Sequence, residues 1–381
     1  MKFKILIAPN SFKECADSIT VSEYLSNDLN KLADNIISRP VSDGGDGFLK
    51  VCEKNFSLKP IKYQISSPYN DSKLNCRAGY DEKKKFIYIE SANILGVKII
   101  PVSKRNPLKL SSKGMGELIS KILKDHQIGK RKIKKLIIGI GGTGINDLGL
   151  GLFSKFGLKL FDHNEKEIDI IPSNFIKVKK IVWQKIVLPF KIEIIIDVYN
   201  ELLGKQGATK IFGKQKGLTS EGIYIVEKGF QNIISILKAN GILNQTKRLS
   251  GAGGGLAAGL QIFFNSNIVH SKDFILKDLG ISKIKNIGLV ITGEGSFDKQ
   301  SLMEKATGNL VKYFSKINVP VIVCCGIFDK HLNKLLPKSV KVIELRKYFQ
   351  SENESINNFR KGILLASKEI QSKIDQFNFI A

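Results

Sequence analysis

Short, continuous apolar runs recur along this chain, and each ends in glycine or an acidic residue. Four of them read KLIIGIGG, KIEIIIDV, NIGLVITGEG and VPVIVCCG. Apolar runs of this length without polar alternation are typical of central strands in a parallel sheet covered on both faces. Helical patterns follow such runs, among them GMGELISKILKDH and KATGNLVKYFSKI. This alternation of strands and helices predicts an α/β protein.

One section interrupts that alternation. Residues 59–91 combine two-residue alternation with turn residues and show no helical period, which predicts an antiparallel hairpin or meander. Residues 161–192 are also irregular and include Pro172 and Pro189. A length of 381 residues suits two domains, so we expect one domain to contain the antiparallel section.

The formal net charge of +25 raises the question of a nucleic-acid partner. Only seven of the 60 basic residues are arginine, the residue that most often reads bases, and the lysines are scattered along the chain. We therefore attribute the positive charge to a compositional bias toward lysine and expect no nucleic-acid partner. A basic nucleic-acid-binding protein stays an alternative. No apolar run approaches the ~18 residues that span a bilayer, so we expect no membrane partner.

The five cysteines indicate the compartment. They lie far apart, except for the adjacent pair Cys324 and Cys325 inside an apolar run. This spacing matches neither a disulfide framework nor a zinc site, so we expect reduced thiols and a cytoplasmic protein.

Glycines, acids, hydroxyls and lysines follow six of the predicted strands. The segments are 10–14, 42–47, 90–91, 141–147, 197–200 and 292–298. Ligands of open α/β sheets bind beyond the carboxyl ends of the strands. The pattern therefore predicts a binding site lined by these six segments.

The segment LIIGIGGTGIND, residues 136–147, leads from an apolar run into glycines. Such a loop suits a phosphate held by backbone N–H groups, although the same glycines also suit a tight turn. The GxGxxG at 139–144 keeps an NAD(P)-dependent oxidoreductase of a small hydroxy acid as an alternative. Asp147 argues against a bare pyrophosphate because its carboxylate would repel that group unless a metal intervened. A second glycine-rich stretch, 250–260, suits either a phosphate loop or a tightly packed helix start.

Several longer motifs occur in a characteristic order: IAPNSFKECADS, PVSDGGDGF, RNPLKLSSKGMGELI, IIGIGGTGINDLGLGLF, DVYNELLGKQGATKIFGKQKG, GAGGGLAAGL and ITGEGSFDKQSLMEKAT. From residue 5 to about residue 330 the chain resembles the class I, bacterial-type glycerate kinase family. The resemblance implies phosphorylation of D-glycerate by ATP with Mg²⁺, in a cleft between two α/β domains. It also implies that the first domain is discontinuous in sequence and the second is inserted into it.

We accordingly expect a flavodoxin- or Rossmann-like first domain with a mostly parallel sheet, formed by residues 1–70 and 284–381. The inserted α/β domain, residues 71–283, would contain antiparallel β structure and the glycine-rich loop 139–147. The resemblance favours 2-phosphoglycerate as the product. A homodimer is left open.

The resemblance and the strand-end pattern together suggest residue roles. The expected ATP-binding residues are Gly141, Gly142, Thr143, Asn146, Lys216 and Lys305. The expected Mg²⁺ ligands are Asp147, Glu294 and Asp298. The expected glycerate-binding residues are Ser11, Lys13, Gly44, Gly45 and Arg105. Either Asp197 or Asp43 would accept the hydroxyl proton, because each follows a predicted strand.

Two positions depart from the family pattern near these residues. Asn10 stands where the family usually has aspartate, and Ser296 stands where it has arginine.

Overall fold

The computed structural model describes residues 4–30, 32, 35–70, 72–246, 248–303 and 305–373. The strands are β1 (Lys4–Ile7), β2 (Ile36–Ser38), β3 (Lys59–Ser66), β4 (Lys73–Asp81), β5 (Phe86–Glu90), β6 (Lys135–Gly139), β7 (Lys159–Phe161), β8 (Glu167–Ile168), β9 (Lys180–Val182), β10 (Lys191–Ile196), β11 (Asn267–His270), β12 (Ile287–Phe297), β13 (Val321–Phe328) and β14 (Val340–Glu344).

The helices are α1 (Ser18–Asp28), α2 (Phe48–Asn55), α3 (Ala92–Leu95), α4 (Lys113–Gln127), α5 (Leu150–Phe153), α6 (Ala208–Phe212), α7 (Ser220–Ala239), α8 (Leu256–Phe263), α9 (Ser271–Asp273), α10 (Lys299–Leu302), α11 (Ala306–Lys316), α12 (Glu352–Asn357) and α13 (Phe359–Lys373). A π-helical turn at Phe274–Asp278 follows α9. Within the described ranges, no helix combines the length and the apolar character that a bilayer crossing requires.

The chain folds into two compact units. Unit 1 comprises Met1–Asp43, Lys50–Ser57 and His270–Ala381, and unit 2 comprises Gly44–Leu49 and Leu58–Val269. The sequence placed the divisions at 70/71 and 283/284 instead. β3 and β4 lie on either side of residue 71, and they pair along their whole length from Lys59–Tyr80 to Ser66–Lys73. That ladder keeps both strands in unit 2.

Unit 1 is built on a five-stranded sheet of order β14-β13-β12-β1-β2, in which every pair of neighbours is parallel. The apolar runs form its centre because both faces are covered: Ile7, Ile291 and Ile322 are fully buried. β12 does not end at Ile291, as the apolar run suggested. Its pairing with β13 continues as far as Phe297–Phe328, so Glu294 lies within the strand rather than after it.

Unit 2 is built on a six-stranded sheet of order β11-β10-β6-β5-β4-β3. β10, β6 and β5 are parallel, whereas β3, β4 and β5 are antiparallel to one another in turn. The antiparallel section predicted at 59–91 is therefore confirmed, as is the α/β class with a mostly parallel sheet. The irregular residues 161–192 contribute β8 and β9 to a small antiparallel sheet of order β8-β7-β9, whose central strand β7 begins just before them.

Candidate active site

The glycine-rich loop of unit 2 begins where β6 ends and is held on one side by residues 95–97. The Gly144 amide donates to the Leu95 carbonyl at 2.7 Å, and the Val97 amide donates to the Gly142 carbonyl at 3.1 Å. Within the described part of the chain, the amides of Gly141, Gly142 and Thr143 donate no hydrogen bond. The loop therefore offers three consecutive N–H groups, as a phosphate-binding nest does.

The glycines of this loop also allow a second loop to approach. A methyl group added at Gly141 would lie 2.6 Å from Gly45 Cα, and one added at Gly142 would lie 2.7 Å from Asp46 Oδ1. Gly142 has φ +63°, which disfavours other residues. Part of the reason for these glycines is therefore the close packing of segment 44–47.

Lys216 is a buried cation directed at the glycine-rich loop. Its Nζ donates to the Ile145 carbonyl at 2.8 Å and to Thr143 Oγ1 at 3.3 Å. Burial lowers the pKa of Lys216 to about 8, and the negative charge of Asp147 acts in the opposite direction. A buried ammonium beside unpaired amides is suited to contact a bound anion.

Asp147 follows the loop and is completely buried. Its Oδ2 accepts from the amide and the hydroxyl of Ser112, each at 2.7 Å, and from the Gly151 amide at 3.3 Å. Its Oδ1 accepts from the Gly149 amide at 3.0 Å. Burial raises the pKa of Asp147, and these four hydrogen bonds oppose that rise. The carboxylate joins the start of α4 to the loop before α5.

Asn146 is also buried, and its Nδ2 donates to Thr209 Oγ1 of α6 at 3.3 Å. The second glycine-rich stretch packs against the same turn. A methyl group at Gly254 would lie 2.1 Å from the Ile145 carbonyl oxygen. The structure thus uses residues 253–255 for close packing at the start of α8, one of the two alternatives that the sequence left open.

Other predicted residues of unit 2 lie near these loops. A methyl group at Gly44 would lie 2.7 Å from the carbonyl oxygen of Ile195, which is two residues before the half-buried Asp197 at the end of β10. Arg105 donates through Nε to the Ile100 carbonyl at 2.9 Å, and its own carbonyl approaches Gly217, the residue after Lys216.

Two further acidic residues lie in unit 2: Glu90, which had no predicted role, and Asp46, one of the two acids of DGGDG that could hold Mg²⁺ or orient a hydroxyl. Glu90, buried at the end of β5, accepts from the amides of Gly47 at 3.0 Å and Leu49 at 2.9 Å, and so holds the start of α2. Asp46 lies against Gly142 and pairs with Lys98, with 2.5 Å between Nζ and Oδ2. Their signals were present in the sequence: an acid that ends an apolar run, and the second acid of DGGDG.

Unit 1 brings Asn10, Asp43 and Glu294 together. Asn10 Oδ1 accepts from the Ser11 amide at 2.8 Å, which directs its Nδ2 toward Asp43 Oδ2 at 3.3 Å. The Asn10 amide donates to the Gly293 carbonyl, next to Glu294. Asn10 is therefore a neutral donor that pairs with Asp43.

Glu294 is buried in β12, and its Oε1 has no hydrogen-bond partner among the described residues. Burial raises the pKa of Glu294 to about 7, and the negative charge of Asp43 adds to the rise. The positive charge of Lys305 and the hydroxyls of Thr307 and Ser301 lower it by less, and none of them satisfies Oε1. A buried carboxylate oxygen without a donor is costly unless a ligand or a proton satisfies it.

The remaining predicted residues of unit 1 lie at helix starts or on the surface. Asp298 is the N-cap of α10, where its Oδ1 accepts from the Ser301 amide at 3.1 Å. Lys305 is the N-cap residue of α11 and makes no side-chain cap hydrogen bond. Lys13 is exposed, and its backbone lies close to Gly295. The predicted site residues thus fall into two groups, one in each unit, and the predicted cleft between domains stays a prediction.

Two α/β units, a glycine-rich loop whose amides suit a phosphate and a buried lysine are features of a phosphotransferase. The comparisons identify the family. The family model described as the glycerate kinase family matches residues 5–374. The chain therefore belongs to the glycerate kinase family, which confirms the resemblance seen in the sequence.

Individual relatives agree with this assignment. A glycerate kinase of Neisseria meningitidis serogroup B is 32% identical over 343 residues, which cover 87% of this chain and 88% of that protein. A glycerate 2-kinase of Escherichia coli K12 is 30% identical over 85% of each chain. A solved structure from Salmonella typhimurium LT2, described as a glycerate kinase 2, has a TM-score of 0.77 at 23% identity and covers 99% of each chain. That structure shows the same fold.

Proposed function

We propose that this protein transfers the terminal phosphoryl group of ATP to D-glycerate and forms 2-phosphoglycerate. Membership of the glycerate kinase family supports the class of reaction, and the name of the Escherichia coli relative supports the product. The observation on this chain that carries the proposal is the direction of the buried Lys216 toward a loop in which three consecutive amides donate no hydrogen bond to any described residue.

The glycine-rich loop of unit 2 would hold phosphate oxygens of ATP. Phosphoryl transfer depends mainly on positioning and on neutralising charge, which are what backbone amides and a lysine provide. Burial disfavours the charged form of Lys216, and a bound phosphate would restore it because an opposite charge raises the pKa of an amine. The cost of burying this lysine would therefore be offset when nucleotide binds.

The acceptor would be held through its carboxylate. Ser11, Lys13 and Arg105 are the proposed ligands, with Gly44 and Gly45 providing close backbone approach. A carboxylate clamped in this way fixes the adjacent C2 hydroxyl more tightly than the C3 hydroxyl, and near-attack geometry rewards the better-fixed nucleophile. The proton acceptor is Asp197 or Asp43.

Mg²⁺ would neutralise charge on the phosphates during transfer. Among the described residues, no three His, Cys, Asp or Glu side chains cluster as a metal cage would. Mg²⁺ usually takes only one or two carboxylates together with phosphates and water, so the residues present fit it. Glu294 Oε1 is the best placed ligand in unit 1, because no described residue hydrogen-bonds to it, and Asp298 is a second candidate. Asp147 spends both oxygens on the protein, so we assign it to the loop instead of the metal.

The experiment that tests the proposal measures ADP release from ATP with and without D-glycerate, each with and without Mg²⁺. We expect release only when both are present. Coupling the product to enolase alone should yield phosphoenolpyruvate. A signal that needs added phosphoglycerate mutase would show the 3-phosphate instead, and glycerate-dependent reduction of NAD(P)⁺ without ADP release would favour the oxidoreductase.

The same assay identifies the proton acceptor. Asp197→Asn should lower turnover at least ~100-fold if Asp197 is the base, with Asp43→Asn as the matched comparison. Near-normal turnover of the Asp197 variant would transfer the role to Asp43.

A further inference from the structure

Asp46 lies beside the glycine-rich loop and has no role in the reaction as described so far. Its Oδ1 lies against Gly142, and its Oδ2 is 2.5 Å from the Nζ of Lys98. The side chain is 35% exposed, whereas that of Lys98 is 75% exposed. The carboxylate is therefore accessible from solvent, next to three amides suited to an anion.

The backbone around Asp46 is held on both sides. Gly45 lies against Gly141, and the Gly47 amide donates to Glu90 Oε1 at 3.0 Å. Gly44, with φ +100°, lies against the Ile195 carbonyl. A carboxylate attached to so constrained a turn cannot swing far from the loop, so its position relative to Gly142 belongs to the fold.

A fixed carboxylate beside a phosphate-binding loop repels phosphate unless a cation accompanies it. Lys98 provides a positive charge in this structure, but an exposed lysine pair contributes little and is readily exchanged. Asp147 is the contrasting carboxylate of unit 2: it is fully buried and accepts four hydrogen bonds. Asp46 can accept a metal ion at the cost of one surface ion pair, whereas Asp147 would have to abandon buried donors.

We propose that Asp46, and not Asp147, is the carboxylate of unit 2 that binds the divalent cation accompanying the nucleotide's phosphates, and that it exchanges Lys98 for that cation. This inference rests on the proposed ATP-dependent function and deepens it.

The test measures nucleotide binding by the full-length protein in the absence of glycerate. A fluorescent ATP analogue is titrated at several Mg²⁺ concentrations, and Mn²⁺ binding in the presence of ATP is followed by electron paramagnetic resonance. Asp46→Asn should reduce the Mg²⁺-dependent gain in affinity and the Mn²⁺ affinity roughly tenfold or more. Affinity for metal-free ATP should stay the same or rise, because a repulsive charge is gone.

Asp17→Asn is the matched control. Asp17 is also paired with an exposed lysine, Lys50, at 2.7 Å, and asparagine can still cap α1. This variant should bind nucleotide and metal like the wild type. Asp46→Glu should retain part of the metal response, and a normal melting temperature will show that each variant is folded.

Lys98→Met separates the two roles of the ion pair. If Asp46 acts as a metal ligand, this variant keeps the metal response; if Asp46 only positions Lys98, it reproduces Asp46→Asn and overturns the inference. A folded Asp46→Asn protein with a wild-type metal response also overturns it. Failure of the wild type to bind ATP at all would overturn the proposed function itself.

Discussion

Two buried carboxylates, one in each unit, have opposite surroundings. Asp147 in unit 2 accepts four hydrogen bonds from Ser112, Gly149 and Gly151. Glu294 in unit 1 has an Oε1 without a partner among the described residues, and the negative charge of Asp43 acts on it. The sequence analysis predicted both residues as Mg²⁺ ligands.

The difference separates a carboxylate that stabilises the fold from one that is available to a ligand. Burial raises the pKa of Asp147 despite its hydrogen bonds, so ionisation itself does not stabilise the fold. Removing the carboxylate would nevertheless be costly, because it leaves several buried donors unsatisfied. A buried carboxylate short of donors costs stability when ionised, and such costs are typical of functional sites. Four predictions follow the consequences of this comparison.

The largest effect should come from Asp147→Ala. Four buried donors would lose their acceptor, and we expect a loss of stability on the order of 4 kcal/mol. Urea denaturation at neutral pH measures it, with Glu221→Ala at the exposed start of α7 as the control. If the Asp147 variant stays within about 1 kcal/mol of wild type, the structural role is wrong.

Glu294→Gln should raise the stability of the protein at alkaline pH, whereas Asp147→Ala should lower it. The pKa of Glu294 is about 7 in the folded protein against an ordinary 4.5, so its contribution to stability is full below pH 4.5 and is lost as the pH rises through 7. At pH 8 the variant should therefore be more stable than wild type, by on the order of 3 kcal/mol, and the gap should close toward pH 5.

The prediction for Glu294→Gln has a second part: turnover should fall at least tenfold at pH 8, in the lower range for loss of a metal-binding carboxylate's charge. A variant that is both less stable and fully active would place Glu294 with Asp147 as a structural residue.

Lys216→Met tests whether burial lowers the pKa of Lys216. The pKa of Lys216 is about 8 in the folded protein against 10.5, so its contribution to stability is full above pH 10.5 and is lost as the pH falls through 8. Wild type should therefore gain stability relative to the variant between pH 8 and 9.5, by roughly 2 kcal/mol. A pH-independent difference would show that Lys216 keeps its ordinary pKa.

The smallest effect should come from Thr143→Val, which removes the hydroxyl that accepts from Lys216 at 3.3 Å. One such hydrogen bond is worth about 1 kcal/mol, so the KM for ATP should rise roughly fivefold. The KM for glycerate should change less than twofold. If the glycerate KM rises instead, the glycine-rich loop serves the acceptor, and the nucleotide belongs elsewhere.

Much of the fold follows from local patterns. The apolar runs predicted parallel strands, and β1, β6, β10, β12 and β13 are such strands. The break in period at 59–91 predicted the antiparallel section. The motif order indicated the glycerate kinase family, which the comparisons confirm. Glycine-rich loops could be located in the same way, because their glycines are adjacent in the sequence.

The residue roles stay predictions, because a side chain's role depends on partners far away in the sequence. Asp147, Glu294 and Asp46 all lie in short glycine- and acid-containing segments that follow apolar runs, so their local sequences do not distinguish them. Ser112, whose amide donates a hydrogen bond to Asp147, lies 35 positions earlier in the sequence. Asp46 lies against Gly142, although the two residues are nearly a hundred positions apart in the sequence.

The sequence by itself determined the α/β class, the positions of the strands and the family, because these depend on periodicity and on residue order. Only the tertiary structure decided which carboxylates are satisfied. A carboxylate buried during folding is either given donors by neighbouring elements, as Asp147 is by the start of α4, or left without them, as Glu294 Oε1 is in β12. Donor supply is set by packing between distant segments, so the free energy that distinguishes a structural acid from a ligand-binding one appears only once the chain has folded.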